Sequence, residues 1–220
     1  MKCWKTSCRK IGTGLGGAVV ILLCQMTGSW AHPHVWVTVE MMVLCDKGNL
    51  TGLQYRWTFD EAYTVLALED FKKNPDGSYD SEQLAELAKV NIDGLKEFGY
   101  FTYMVLGEQA AKLGEPRNYW LEHKNGILSL IFTLPFPQPI LPKPGKDLTV
   151  LVLDPTYFIA FEFAKVNPVR LAKGTPESCK VTIGELAEGS VQAQRLSKAF
   201  AELGPELGYA QISAISCGAR

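Results

Sequence analysis

The stretch "HVWVTVEMMVLCDKGNLTGLQYRWTF", residues 34 to 59, decides the fold. Val35, Val37 and Val39 alternate with Trp36, Thr38 and Glu40, the period-2 pattern of a strand with one buried face. Asp46-Lys47-Gly48-Asn49 supplies a glycine turn, and alternation resumes in Leu53, Tyr55 and Trp57. The spacing predicts an antiparallel hairpin whose valine side faces the core. His32 and His34 then share the outer side with Trp36, Thr38 and Glu40.

Downstream of this hairpin the texture changes twice. "DEAYTVLALEDFKK" (60 to 73) and "DSEQLAELAKVNIDGLKEFG" (80 to 99) read as amphipathic helices, the second starting at an Asp80 or Ser81 cap and stopping at Gly99. "YFTYMVLGE", "NYWLEHKNGILSLIFTLPF", "KDLTVLVLDPTYFIAFEF" and "CKVTIGEL" return to strands, with a hairpin turn at Lys124-Asn125-Gly126. A helix at about 190 to 203 and a strand at about 209 to 217 close the chain. The expected fold is α+β, a mostly antiparallel sheet with a helical pair inserted between early and later strands.

Upstream, residues 1 to 10 carry Lys2, Lys5, Arg9 and Lys10 and no acid. Residues 11 to 24 are apolar, and "QMTGSWA" ends with Ser29 and Ala31 at the small-residue positions of a cleavage point. That layout predicts a secretory signal peptide over 1–31 and a single exported domain over 32–220. The apolar run falls short of the roughly 20 residues of a membrane span, and Leu23 before Cys24 argues against a lipoprotein. Cleavage after Ala31 makes His32 the N-terminus of a 189-residue chain, long enough for one sizeable core.

The signal takes four of the 22 basic residues, leaving 18 against 23 acidic, a balance of −5 with histidines neutral. A mildly acidic chain is a poor partner for nucleic acid or an anionic membrane. Cys45, Cys179 and Cys217 remain for an oxidising compartment where disulfides persist. We expect Cys179 to pair with Cys217, since each adjoins an alternating stretch, while Cys45 reads as a small strand residue. Three buried free thiols are the alternative.

The "HPH" terminus raises a chemical question. Imidazoles two residues apart on a strand are separated by about 7 Å at Cα and can reach one ion. A processed chain adds the His32 α-amine, whose proton a cation can displace. Such nitrogens suit Zn²⁺, Ni²⁺, Co²⁺ or Cu²⁺ better than Ca²⁺ or Mg²⁺. Pro33 has no N–H to lose, which excludes the square-planar terminal site built on a deprotonated second amide. The bland reading is an edge strand that starts at Pro33 with both histidines in solvent. An arbitrary His-x-His favours that reading; a processed terminus shifts the balance to metal.

Further ligands are few. His123 precedes a hairpin turn, where an exposed histidine is unremarkable. Asp60 and Glu61 open a helix, as a cap does. Asp154 ends a strand before Pro155, a usual turn setting and also a place from which loop residues line sites. Glu162, a carboxylate in an aromatic strand, needs solvent or a partner. "KKNPDGSYDSEQL" imitates a calcium loop but has Lys72 at the first ligand position and Gln83 at the twelfth, so we read it as a helix connection. Nothing matches G-x-S-x-G, CxxC, H-E-x-x-H or a phosphate-cradling glycine loop in the mature chain, and an enzyme is not expected.

"AHPHVWV" after a signal, "YRWTFDEAYTVLALEDF", "NPDGSYDSEQL", "LKEFGYFTY", "FTLPF" and "DPTYFIAFEF" together resemble a bacterial domain-of-unknown-function family. That family is described as the periplasmic component of an uncharacterised ABC-type transport system and is often linked with nickel/cobalt-type permeases. The resemblance implies periplasmic export and transition-metal handling, with His32 and His34 the positions that carry over best and Asp60, Glu61 and Asp154 next. Three classes stay open. They are an accessory passing Zn²⁺, Ni²⁺ or Co²⁺ to or from an inner-membrane permease, a copper chaperone or redox protein using an amine-imidazole clamp, and a metal-free interaction module with exposed aromatics such as Trp36, Tyr157 and Phe158. The first is our expectation.

Overall fold

The computed structural model describes residues 34–203, 207 and 210–218, so the signal-like segment, His32 and Pro33 lie outside the described residues. Along the chain come β1 (Val35–Asp46), β2 (Asn49–Phe59), α1 (Glu61–Ala67), α2 (Ser81–Leu95), β3 (Thr102–Leu106), β4 (Gln109–Ala110) and β5 (Arg117–Lys124). There follow β6 (Ile127–Ile140), β7 (Leu148–Val152), β8 (Ile159–Phe163), β9 (Val169–Leu171), β10 (Cys179–Glu185), α3 (Val191–Ala199) and β11 (Gln211–Cys217).

The opening hairpin forms as its alternation dictates. β1 and β2 pair antiparallel from Val37 opposite Phe59 to Asp46 opposite Asn49. Lys47 and Gly48 carry the two positive φ angles, 48° and 80°, whose twist matches the flanking strands. Val35, Val37, Val39, Met41 and Val43 are all buried, and His34, Trp36 and Thr38 are exposed. β6 pairs with the far side of β2, and β5 folds back on β6 through Asn125-Gly126, another positive-φ pair. On the other flank, β8 and β9 run parallel to β1. The first sheet thus has the order β5-β6-β2-β1-β8, with β9 also on β1.

The second sheet has the order β10-β11-β7-β3-β4. Its Met104, Val150 and Ile215 join Tyr55, Trp57 and Phe132 of the first sheet in one core. Burial of each such large side chain stabilises by about 1.5 to 3 kcal/mol relative to exposure. The opposite side of the second sheet, through Tyr103, Leu151 and Ile212, packs on Ala193 and Leu196 of α3. At its margin the expected disulfide is present: Cys179 lies opposite Cys217 across β10 and β11, and the two are bonded. Cys45 is free, its thiol donating to the Gly174 carbonyl at 3.3 Å.

The architecture is α+β and mostly antiparallel, with α1 and α2 between early and later strands as expected. Two boundaries differ from the sequence reading. α1 ends at Ala67 instead of running to 73, because Leu68 drops into the core and tighter bonds from Glu69 to Leu66 and Phe71 to Leu68 replace the helical ladder. "KDLTVLVLDPTYFIAFEF" is not one strand region. Its first part is β7 in the second sheet and its last part is β8 in the first, so the Asp154 turn carries the chain from one sheet to the other.

Candidate functional site

The end of the first sheet where β1 begins collects most of the candidate ligands. His34 is exposed, its N–H donates to the Phe158 carbonyl at 2.9 Å, and its ring lies 4.9 Å from the Phe158 ring, centroid to centroid. Asp60 caps α1 by accepting the Tyr63 N–H at 2.8 Å, and its second oxygen accepts the Trp36 N–H at 2.7 Å. Glu61 stands exposed in the first turn of α1, where a carboxylate complements the helix dipole. Asp154 is 2 % exposed and accepts from the Thr156 N–H at 2.8 Å, the Thr156 hydroxyl at 2.7 Å and the Ile159 N–H at 3.0 Å. Both aspartates are therefore engaged by local donors that shape this edge, backbone N–H groups and, for Asp154, the Thr156 hydroxyl as well.

His123 stands elsewhere. It lies opposite Leu128 in the β5–β6 hairpin, three strands from β1, which at the usual strand spacing is roughly 14 Å. Its ring stands edge-on to Tyr79 at 4.8 Å, and Lys73 lies over that same Tyr79 ring. Burial, and then the Lys73 charge, hold the imidazole pKa below its ordinary value. Glu162 is exposed and faces solvent. In the calcium-like loop Asp76 accepts from the Ser78 N–H at 2.9 Å and from its hydroxyl at 2.6 Å, which lowers the carboxyl pKa. That loop closes on itself through the Lys73–Tyr79 bridge. Among the described residues no three His, Cys, Asp or Glu side chains gather so as to hold a metal ion. His32, the other histidine of the expected terminus, lies outside the described residues.

What sequence reasoning missed is a groove of about 530 Å³ beside His34, within the usual range for ligand-binding clefts. Val35, Val37, Trp57 and Leu130 of the first sheet make its floor. Val90 of α2, Phe98 and Phe158 rise around it and are 67, 50 and 47 % exposed. The Trp57 indole N–H is buried with no hydrogen-bond acceptor. Beyond α2 the chain turns through Gly99, Tyr100 and Phe101, all in the left-handed region at φ 57°, 56° and 46°, and this reversal stacks Phe98 on Phe101 at 5.2 Å. Such a conformation disfavours bulky side chains. The signal available in the sequence was Val90, an apolar residue off the buried stripe of Ala88 and Ile92. The floor residues read only as core.

Among the described residues no helix is long and apolar enough to cross a membrane. An uncharacterised protein of Haemophilus influenzae is 25 % identical over 199 residues, covering 86 % of this chain and 93 % of that protein. An uncharacterised 15.5 kDa protein of Spirochaeta aurantia is 29 % identical over 102 residues, covering 46 % of this chain and 71 % of its own length. A family profile matches residues 17–214, nearly the whole sequence, and the chain belongs to that family, described as Protein of unknown function (DUF1007).

Proposed function

We propose that this chain is an exported accessory of a membrane transport system that takes Zn²⁺, Ni²⁺ or Co²⁺ as cargo at its His32-Pro33-His34 terminus and exchanges it with an inner-membrane permease in the periplasm. The observation that carries the reading is the arrangement at the start of β1. His34 is exposed there, while Asp60 and Asp154 have their oxygens engaged by N–H and O–H donors. What that edge offers a cation is the exposed Glu61 carboxylate and imidazole nitrogen, the latter the ligand type those metals prefer. Cu²⁺ fits the same nitrogens, but His123 is too far off to complete a copper clamp, which leaves His34 as the second histidine. The −5 balance of the processed chain supports a cationic cargo over nucleic acid, and no catalytic role is assigned.

The test is metal content after dialysis of the processed protein against Zn²⁺, Ni²⁺ and Co²⁺. The reading expects about one equivalent retained at micromolar affinity and none in the His32→Ala, His34→Ala double variant. Equal retention by that variant contradicts it. A second reading, a metal-free binding module, is favoured by the apolar groove alone.

A further inference from the structure

The groove continues past Phe98 into a second chamber of about 330 Å³, lined by Tyr103, Phe200 and Glu202. Glu97, Phe98, Phe101, Asp154 and Thr156 border both chambers. Among the described residues the charge along this trough is one-sided: Glu97, Asp154 and Glu202 line it, and no described lysine or arginine does. The nearest cation in sequence, Lys96, is drawn off to Glu115 at 3.1 Å. Asp154 is buried and accepts three hydrogen bonds from Thr156 and Ile159, whereas Glu97 and Glu202 are exposed and able to touch a ligand. The Tyr103 phenol registers that field: burial first, then the Glu202 and Asp154 charges, push its pKa up.

Apolar floor, exposed phenylalanine rings and unopposed carboxylates are three independent requirements of one ligand chemistry. Desolvated hydrocarbon belongs on Val35, Val37 and Leu130. A positive charge is attracted by the face of an aromatic ring and by the carboxylates beside it. Among the described residues a carboxylate, sulfate or phosphate head would meet three like charges and no base.

We propose that this trough binds an elongated apolar molecule carrying one ammonium head, its hydrocarbon over Trp57 and its charge between Phe98, Glu97 and Glu202. Among the described residues no histidine lines the charged end of the site, at Glu97, Phe98 and Glu202. The site is also distinct from an anionic-lipid or fatty-acid site, which the same cavity volume alone would allow.

The probe is dodecyltrimethylammonium bromide, titrated below its micelle concentration into the processed chain and followed by calorimetry and by tryptophan emission, with dodecanoate as the chain-matched anion. Expected is saturable one-to-one binding of the cation, about ten-fold or more tighter than the anion. Glu97→Lys should weaken the cation about ten-fold, and Phe98→Ala should weaken it while circular dichroism stays unchanged. The proposal is overturned if the cation shows no saturable binding, if the anion binds as tightly, or if neither substitution changes cation affinity. His32→Ala should leave this binding intact, which separates it from metal handling.

Discussion

Trp36 and Asp60 hold each other twice: the Trp36 N–H donates to the Asp60 carboxylate at 2.7 Å, and the Asp60 N–H donates to the Trp36 carbonyl at 3.0 Å. One side chain thereby fastens the start of β1 and, through the Tyr63 N–H, caps α1. Loss of a capping acceptor costs about 1 kcal/mol, and leaving the Trp36 donor unpaired adds a comparable amount. Asp60→Ala should therefore lower unfolding stability in urea by about 2 kcal/mol. Asp60→Asn, which keeps one acceptor oxygen, should lose less. Equal effects of the two would contradict the double role.

The Cys179–Cys217 bond joins the ends of adjacent strands across a sequence separation of 38. Closing a loop of that size restricts the unfolded chain and stabilises by on the order of 3 to 4 kcal/mol. Cys179→Ser with Cys217→Ser should lower the thermal midpoint, and a reductant should lower it in the native chain but not in the variant. Cys45, being free, should react with a thiol reagent before unfolding only as far as its half-buried position allows.

Gly52 and Gly94 should respond in opposite directions to alanine. At Gly52 a Cβ meets the Leu134 carbonyl oxygen at 2.7 Å and the Pro135 Cα at 3.0 Å, both backbone atoms in the paired strand β6. Overpacking of that kind costs about 1 to 3 kcal/mol. At Gly94, inside α2, nothing lies within 4 Å and φ is ordinary. Gly94→Ala should raise stability by about 0.5 to 1 kcal/mol through helix propensity. Chemical denaturation of the two variants reads both signs.

His123 links stability to pH. Burial and Lys73 depress its folded pKa, so between the folded value and the unfolded value near 6.5 the unfolded chain binds more protons. Its contribution is present above about pH 6.5 and is lost as pH falls through the folded value. The thermal midpoint should drop on acidification from pH 7.5 to 5, and His123→Phe, which keeps a ring against Tyr79, should flatten that drop. An unchanged profile in the variant would assign the acid loss to other groups.

The hairpin of β1 and β2 was legible because one residue step separates buried from solvent positions, and because Lys47-Gly48 is a turn by chemistry. The Asp80 cap and the Asn125-Gly126 turn were legible for the same local reasons. The crossing of β7 and β8 into different sheets was not, since both halves of "LTVLVLDPTYFIAFEF" are mainly apolar strand-forming stretches and only tertiary pairing with β3 and β1 tells them apart. The groove was hidden similarly. Val35, Val37 and Trp57 obey the burial pattern of core residues, and only the placement of α2 and the left-handed turn at Gly99 leaves space over them. His34 and its outer face were read correctly from the alternation. The engagement of Asp60 and Asp154 by backbone donors lay in loop geometry that residue type alone does not specify.

The most direct test of the account is a calorimetric titration of Ni²⁺ and Zn²⁺ into the processed chain, its N-terminus verified by intact mass, beside a His34→Ala variant and a chain carrying one extra residue before His32. The account predicts about one site of micromolar or tighter affinity in the processed chain, at least ten-fold weakening without His34, and weakening in the extended chain because the amine is displaced from His32. Identical binding in all three, or none in any, contradicts it and reduces "HPH" to the first residues of a strand.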